Sequence, residues 1–389
     1  MVILVIAWLA VGILFFGLPS FYFLYMRRKS NMYWNLQFDT TYLPSIAILV
    51  PVHNEQNLIR LKMENLSKVE YPSDKLDIII ANDCSTDNTA NEVNQYIATQ
   101  SGKKIKLFNS NPHLGKTSCL NNTLKDVQTD IVIISDVDCF WPNDILTTAL
   151  PYLSDPTVGA ITARELLLNP DDSWITLGEQ FYDSNIQSIR IGESKIHSTI
   201  FFQGGFAAYK RSVIDEFNHA TDDSGTALDV VQKKLRTLLI PEIGFFTVSP
   251  ITWKNKIQIK LRRAGHLQHL WARCFNLLVR GKLLMPKRIA IPEIFLHIFN
   301  PVLLVILLVL SVAITVVYPV LALVIISIVC AALLVKRLRI MIFELAQTNL
   351  ILFLALTSFV TKRNFKIWKP LEQSRFAINA NMLKKKNLI

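Results

Sequence analysis

The sequence predicts an α/β domain with a mostly parallel sheet, flanked by transmembrane helices. Apolar residues gather into blocks near the two ends of the 389-residue chain. Between them, short β-branched runs alternate with helical stretches, the pattern of a parallel sheet. One such run, Ile131-Val132-Ile133-Ile134-Ser135, leads straight into two carboxylates, Asp136 and Asp138. The chain is 51% hydrophobic with a mean hydropathy of +0.32, high for a protein that never meets a membrane.

The first block, residues 2–26, holds no charge and ends at Arg27-Arg28-Lys29. About 20 apolar residues span a bilayer as a helix. Basic residues follow the segment rather than precede it, unlike a cleaved signal peptide. The positive-inside rule then places the N-terminus outside and residues from 27 onward in the cytoplasm. A second block runs from 294 to 335, too long for one span at roughly 1.5 Å per residue across a core of ~30 Å. Tyr318-Pro319 breaks it into helices near 294–317 and 319–335. Lys287-Arg288 precedes the pair and Lys336-Arg337-Leu338-Arg339 follows it, which fits an in-out-in hairpin. A third apolar segment, 340–360, contains Glu344, Gln347 and Asn349 and ends at basic Lys362-Arg363. A full span there would put those charges outside, so a re-entrant segment and a departure from the rule both stay open. Glu344, close to the boundary, reads as an interfacial residue. The expected organisation is a membrane helix (1–26), the α/β domain (27–250), basic interfacial helices (251–292), a C-terminal membrane region (293–361) and a basic cytoplasmic tail (362–389).

The net charge of +11 comes mostly from these flanks and from residues 254–288. Beside membrane helices, anionic lipid headgroups and a phosphate-bearing substrate account for it, and nucleic acid is not an expected partner. The cysteines at 84, 119, 139, 274 and 330 lack Cys-x-x-Cys spacing, as in a reduced compartment without a zinc site.

In the middle, strands are expected over Ser45–Val50, Leu76–Ala81, Ile105–Phe108 and Ile131–Ser135. Helices are expected from near Glu55, after the turn 82–89 with Ser85, Thr86 or Asp87 as its cap, and over Thr117–Val127. Open α/β sheets bind ligands at the C-terminal ends of their strands. Polar residues collect there: Pro51-Val52-His53-Asn54-Glu55 after the first strand, Asp83 after the second, Asp136 and Asp138 after the fourth. Strand alternation sends positions i and i+2 to the same side. Asp136 and Asp138 then share one hard cation, Mg²⁺ or Mn²⁺, whose shell substrate phosphates complete. A nucleotide or sugar-phosphate site follows, without a P-loop or a Gly-x-Gly-x-x-Gly turn.

Six motifs in order carry a resemblance: Val50-Pro51-Val52-His53-Asn54-Glu55; Asn82-Asp83-Cys84-Ser85-Thr86-Asp87-Asn88-Thr89; Gly115-Lys116 through Asn121; Ser135-Asp136-Val137-Asp138; Gly204-Gly205 through Arg211; and Thr221-Asp222-Asp223. On these, residues 45–270 resemble the membrane-bound family 2 glycosyltransferases, which carry a GT-A catalytic domain. The resemblance implies that Asp83 contacts the donor's base, most often uracil, with Pro51 and Glu55 lining that pocket. It implies Lys116 near the pyrophosphate or its sugar, Asp136 and Asp138 on the metal-diphosphate, and Asp223 as general base. Gly204, Gly205, Asp222, Arg262, Arg263 and Trp271 fall on the acceptor or diphosphate side. The chemistry agrees: a diphosphate leaving group needs cationic stabilisation, and an acceptor hydroxyl needs a carboxylate to take its proton. Local alternatives exist for each residue. Asp83 can cap the following helix, Lys116 can be solvated, and Asp222-Asp223 can cap a helix over Thr226–Leu239.

One motif departs from the family. Many processive members carry Gln-x-x-Arg-Trp on a helix at the membrane surface, where the tryptophan helps hold the acceptor sugar. Here Arg262-Arg263 is followed by Ala264 and Gly265, and Trp271 lies eight residues beyond Arg263. The resemblance therefore implies an integral membrane enzyme with a cytoplasmic catalytic domain. It would invert while moving a sugar from a nucleotide-sugar, a UDP-sugar by family habit, to a membrane-associated glycan or polyprenyl-linked glycan. A processive synthase that secretes a polymer, and a non-catalytic assembly or sugar-sensing protein, are the alternatives.

Overall fold

Every residue of β1 (Ile46–Val52) is buried, as a strand with neighbours on both faces and both edges must be. It pairs in parallel with β2 (Leu76–Asn82) on one side and β4 (Ile131–Ile134) on the other. β3 (Lys104–Asn109) extends the sheet in parallel beyond β2. On the far side, β6 (Ala207–Lys210) runs antiparallel to β4 and to β5 (Val158–Leu167), and β5 pairs in parallel with β7 (Arg236–Thr247). The order is β3-β2-β1-β4-β6-β5-β7, a mostly parallel sheet with β6 reversed. Val52 aligns with Asn82, and Leu49 with Ile134, so β1, β2 and β4 end along one rim.

The computed structural model describes residues 2–99, 104–218, 222–360 and 378–389. Two compact units emerge: Arg28–Thr252 with the C-terminal segment, and the N-terminal helix with residues 253–360.

In the α/β unit, helices α2 (Ile59–Ser67), α3 (Thr89–Thr99) and α4 (Lys116–Leu124) connect the first strands. α2 starts at Ile59 rather than near Glu55, because Asn54 takes a left-handed φ of 56° and residues 54–58 form a turn. Of the three expected caps, Asp87 bonds at the start of α3, two residues before it: its Oδ1 accepts from Thr89 N at 3.0 Å. Beyond β4 come the short α5 (Ile145–Ala149) and the long α6 (Trp174–Ile196), which Ser173 starts with a capping box.

The helix expected over Thr226–Leu239 needs correction. α7 (Asp222–Gln232) stops earlier, Lys234 adopts a φ of 65°, and the chain is β7 from Arg236. Leucine serves helix and strand alike, and pairing with β5 decides the outcome here.

Of the expected C-terminal tail, residues 362–377 lie outside the described residues. Ile378, Leu383 and Leu388 are buried in the core of the α/β unit. A short helix there (Ala380–Lys385) is capped by Asn379, whose Oδ1 accepts from Met382 N at 3.0 Å.

The helical unit contains α1 (Val2–Ser30), α8 (Trp253–Val279), α9 (Lys287–Ile294), α10 (Asn300–Val317), α11 (Pro319–Leu334) and α12 (Lys336–Val360), with a π turn over Phe295–Phe299. Among the described residues, three stretches are long and apolar enough to cross a membrane: Val2–Ser30, Lys287–Val317 and Lys336–Ser358. The break falls at Tyr318, as its Tyr-Pro sequence predicts. The third apolar segment is one continuous helix. Glu344 lies within this helix. It is buried, with Lys256 Nζ at 2.9 Å and Lys260 Nζ at 3.5 Å, because α8 supplies cations that offset its desolvation. Gln268 of α8 also donates to Leu352 O, so this amphipathic helix lays its mixed face against α12.

Candidate active site

β4 ends at Ile134, so Asp136 and Asp138 stand in the turn beyond the strand. The turn, and not strand alternation, brings them together. Asp136 N donates to Gly204 O at 2.6 Å, and Cys139 N donates to Asp136 O at 3.2 Å. The proximity is electrostatically visible: burial, then the charge of Asp136, raises the Asp138 carboxyl above the ordinary aspartate range.

Gly204 is dictated by this turn. A Cβ there would run into the Asp136 carboxylate. Gly204→Ala is therefore expected to leave the fold intact but displace that carboxylate, lowering activity about 10–100-fold, the usual cost of disturbing a ligand's support. Thermal melting and initial rates measured side by side check it. Gly205 accepts at its carbonyl from Trp141 Nε1 at 2.7 Å and from Ser135 Oγ at 3.3 Å, tying the same turn to the core.

Lys116 is the first residue of α4, and its side chain is only 12% exposed. It is not a solvated helix-start lysine. Its Nζ lies 2.9 Å from Asp136 Oδ1 and 3.9 Å from Asp223 Oδ2. Asp223, in the first turn of α7, is held by neighbours: Tyr209 Oη donates to its carbonyl at 3.1 Å, and Ser224 Oγ donates to Phe202 O at 3.2 Å. One ammonium thus gathers the diphosphate-side and base-side carboxylates predicted from sequence.

Asp83 does not cap α3. Its Oδ1 accepts from Leu114 N at 2.8 Å and its Oδ2 from Gly115 N at 2.7 Å, with His113 Nδ1 2.9 Å from Oδ2. By clasping Leu114 and Gly115, Asp83 sets the start of α4 and hence Lys116. Beside it, the His53 and His113 rings lie tilted at 32° to each other, 4.3 Å between centroids. Pro51 is buried near the end of β1. Glu55 is buried as well, and its carbonyl accepts from Leu58 and Ile59 at the entry to α2.

Other expectations fare differently. Asp222 opens α7, but its side chain lies outside the described residues. Arg262 is half-buried and Arg263 exposed on α8. Trp271, expected on the acceptor side, needs correction: it is wholly buried, stacked 5.5 Å from His297, and offers no open face to a sugar.

Sequence reading missed His113 and Lys62. His113 carries no signal of its own. Lys62 does, since it falls in the row of Ile59, Met63 and Leu66 that faces the core.

Asp136 and Asp138 offer oxygen donors only, which suits a hard divalent ion. Among the described residues no group of three or more His, Cys, Asp or Glu side chains could hold one. The pair therefore fits an ion that shares its shell with substrate oxygens.

Residues 47–217 match the sequence model of glycosyl transferase family 2. The chain is 30% identical over 156 residues to beta-monoglucosyldiacylglycerol synthase of Synechocystis sp., covering 39% of this chain and 33% of that protein. It is 22% identical over 272 residues to poly-beta-1,6-N-acetyl-D-glucosamine synthase of Staphylococcus epidermidis, covering 65% and 63%. Among solved structures, the mannosyltransferase PcManGT from Pyrobaculum calidifontis, in complex with GDP-Man and Mn²⁺, superposes with a TM-score of 0.79 at 27% identity, covering 93% of this chain and 100% of that one. Against the first curated relatives, the matched regions span 33%, 51% and 29% of their lengths. By its motifs, its sheet and these relatives, residues 47–217 form a glycosyl transferase family 2 domain in a GT-A fold.

Proposed function

We propose that the chain transfers one sugar, with inversion, from a nucleoside diphosphate sugar to a lipid-linked acceptor at the membrane. The observation that carries this reading is Lys116, whose ammonium faces both Asp136 and Asp223. A diphosphate entering that corner meets a cation at the point where its charge develops, and the base lies next to it.

In the step itself, the acceptor oxygen bonds to the anomeric carbon while the bond from that carbon to the diphosphate breaks. Asp223 takes the acceptor's proton. Asp136 and Asp138 would hold a divalent ion, Mn²⁺ or Mg²⁺, which when bound neutralises diphosphate charge. Asp83 sits at the base end, beside the His53 and His113 rings.

Two donors lead. GDP-mannose is favoured by the likeness to a mannosyltransferase solved with GDP-Man, and UDP-sugars by general family habit. A lipid-linked acceptor is favoured over a growing polymer by the missing arginine-tryptophan pair and the buried Trp271. It also accords with a relative named for a diacylglycerol product. The basic flanks of the membrane helices support a cytoplasmic α/β unit.

The test is a donor screen on the full chain in detergent, with polyprenyl phosphates, polyprenyl-linked glycans and diacylglycerol lipids as acceptors, with and without Mn²⁺ or Mg²⁺. The expected product is the acceptor plus one sugar, formed only with the ion. A polymer ladder would replace this reading with a processive synthase. No turnover with any donor would overturn it.

A further inference from the structure

Asp136-Val137-Asp138 is bracketed by Ser135 and Cys139, and both bracket residues bond to a single atom. Lys62 Nζ donates to Ser135 Oγ at 2.6 Å and to Cys139 O. The same ammonium lies 5.1 Å from the Trp141 ring centroid and 5.9 Å from that of Phe140. Lys62 is 0% exposed, so it touches no substrate.

An ammonium is rarely buried in this way without a task, because its desolvation is costly. Burial pushes its pKa down to about 8, while the charges of Cys139, Asp136 and Asp138 oppose that fall. One turn further along α2, Asn65 steadies the same segment. Its Nδ2 donates to Trp141 O at 2.8 Å and its Oδ1 accepts from Trp141 N at 2.8 Å. Asn65 Nδ2 also donates to Leu388 O at 2.7 Å, so the C-terminal segment backs this support.

We propose that Lys62 is a positioning residue that clasps the two ends of the Asp136–Asp138 turn and holds its carboxylates ready for one divalent ion. This rests on reading the pair as the donor's metal site. Two rival roles give different signs. If Lys62 merely fills the core, its loss lowers stability and leaves ion affinity alone. If it acts only as a nearby positive charge, its loss tightens cation binding.

The experiment uses the full chain in detergent, titrated with Mn²⁺ in the presence of GDP and, separately, UDP, with free Mn²⁺ read by electron paramagnetic resonance. Lys62→Met is expected to weaken Mn²⁺ binding by about tenfold or more. In the metal-free protein, amide hydrogen exchange over 135–141 should quicken while the other strands stay unchanged. Should Lys62→Met fail to fold, Ser135→Ala removes one clasp partner and is expected to weaken binding about tenfold, by the same loss of a ligand's support. Unchanged or tighter Mn²⁺ binding in the folded variant overturns the proposal. Wild-type protein that binds no Mn²⁺ with either nucleotide overturns the metal-site reading, and the clasp with it.

Discussion

Asp223→Asn is expected to lower kcat for sugar transfer by about 10²–10⁴-fold, the range over which a positioned general base contributes. The substitution keeps the size of the side chain and removes its basicity. Little else in the site should change. The contacts that hold the start of α7 run through the Asp223 carbonyl and Ser224, which the substitution leaves in place. Lys116 stays paired with Asp136 at 2.9 Å, the shorter of its two carboxylate contacts. Donor affinity should therefore move by only a few-fold, and kcat should carry the loss. Single-turnover transfer measured beside equilibrium donor binding separates the two quantities. Undiminished turnover would remove Asp223 from the base role and return it to capping α7.

The first four strands are legible in the sequence because each is a compact apolar run that ends in turn residues. β1, β2 and β4 also pair by similar runs, so pattern and register agree. β6 has no such pattern, being only Ala207-Ala208-Tyr209-Lys210 pressed between β4 and β5. β7 is hidden by leucines that fit a helix until Lys234 turns left-handed. At the site, the order of the motifs names Asp83, Lys116, Asp136 and Asp223, but their contacts depend on chain segments far apart in sequence. That Asp83 clasps Leu114 and Gly115, and so sets Lys116, follows from the fold alone. Trp271 shows the opposite case: its closeness to Arg262-Arg263 in sequence suggests a site, while His297 claims its ring. Lys62 lies between these extremes, since its place in an apolar row announces burial without announcing a purpose.

Asp136→Asn is expected to cost more than the loss of one metal ligand. The wild-type carboxylate holds Lys116 at 2.9 Å, and in the proposed function it also holds the divalent ion together with Asp138. Losing the charge removes a hard anionic donor from a two-carboxylate set, for which the described residues supply no third. It also frees Lys116 to close the 3.9 Å gap to Asp223, pairing the ammonium with the base. A carboxylate beside a cation is a weaker proton acceptor, so the base loses strength as the diphosphate loses its anchor. At about 1.36 kcal/mol per tenfold in rate, and several kcal/mol for the ion's charge stabilisation, kcat/KM should fall at least about 10³-fold. The signature is in the ion dependence. Chelation should abolish wild-type transfer and change the small residual rate of Asp136→Asn hardly at all. Asp136→Asn that keeps the wild-type Mn²⁺ response would show that the ion, if used, is held elsewhere. Asp138→Asn serves as the internal comparison: it removes the same formal charge but leaves the Lys116–Asp136 contact standing, so its loss should be smaller and confined to the ion's half-saturation.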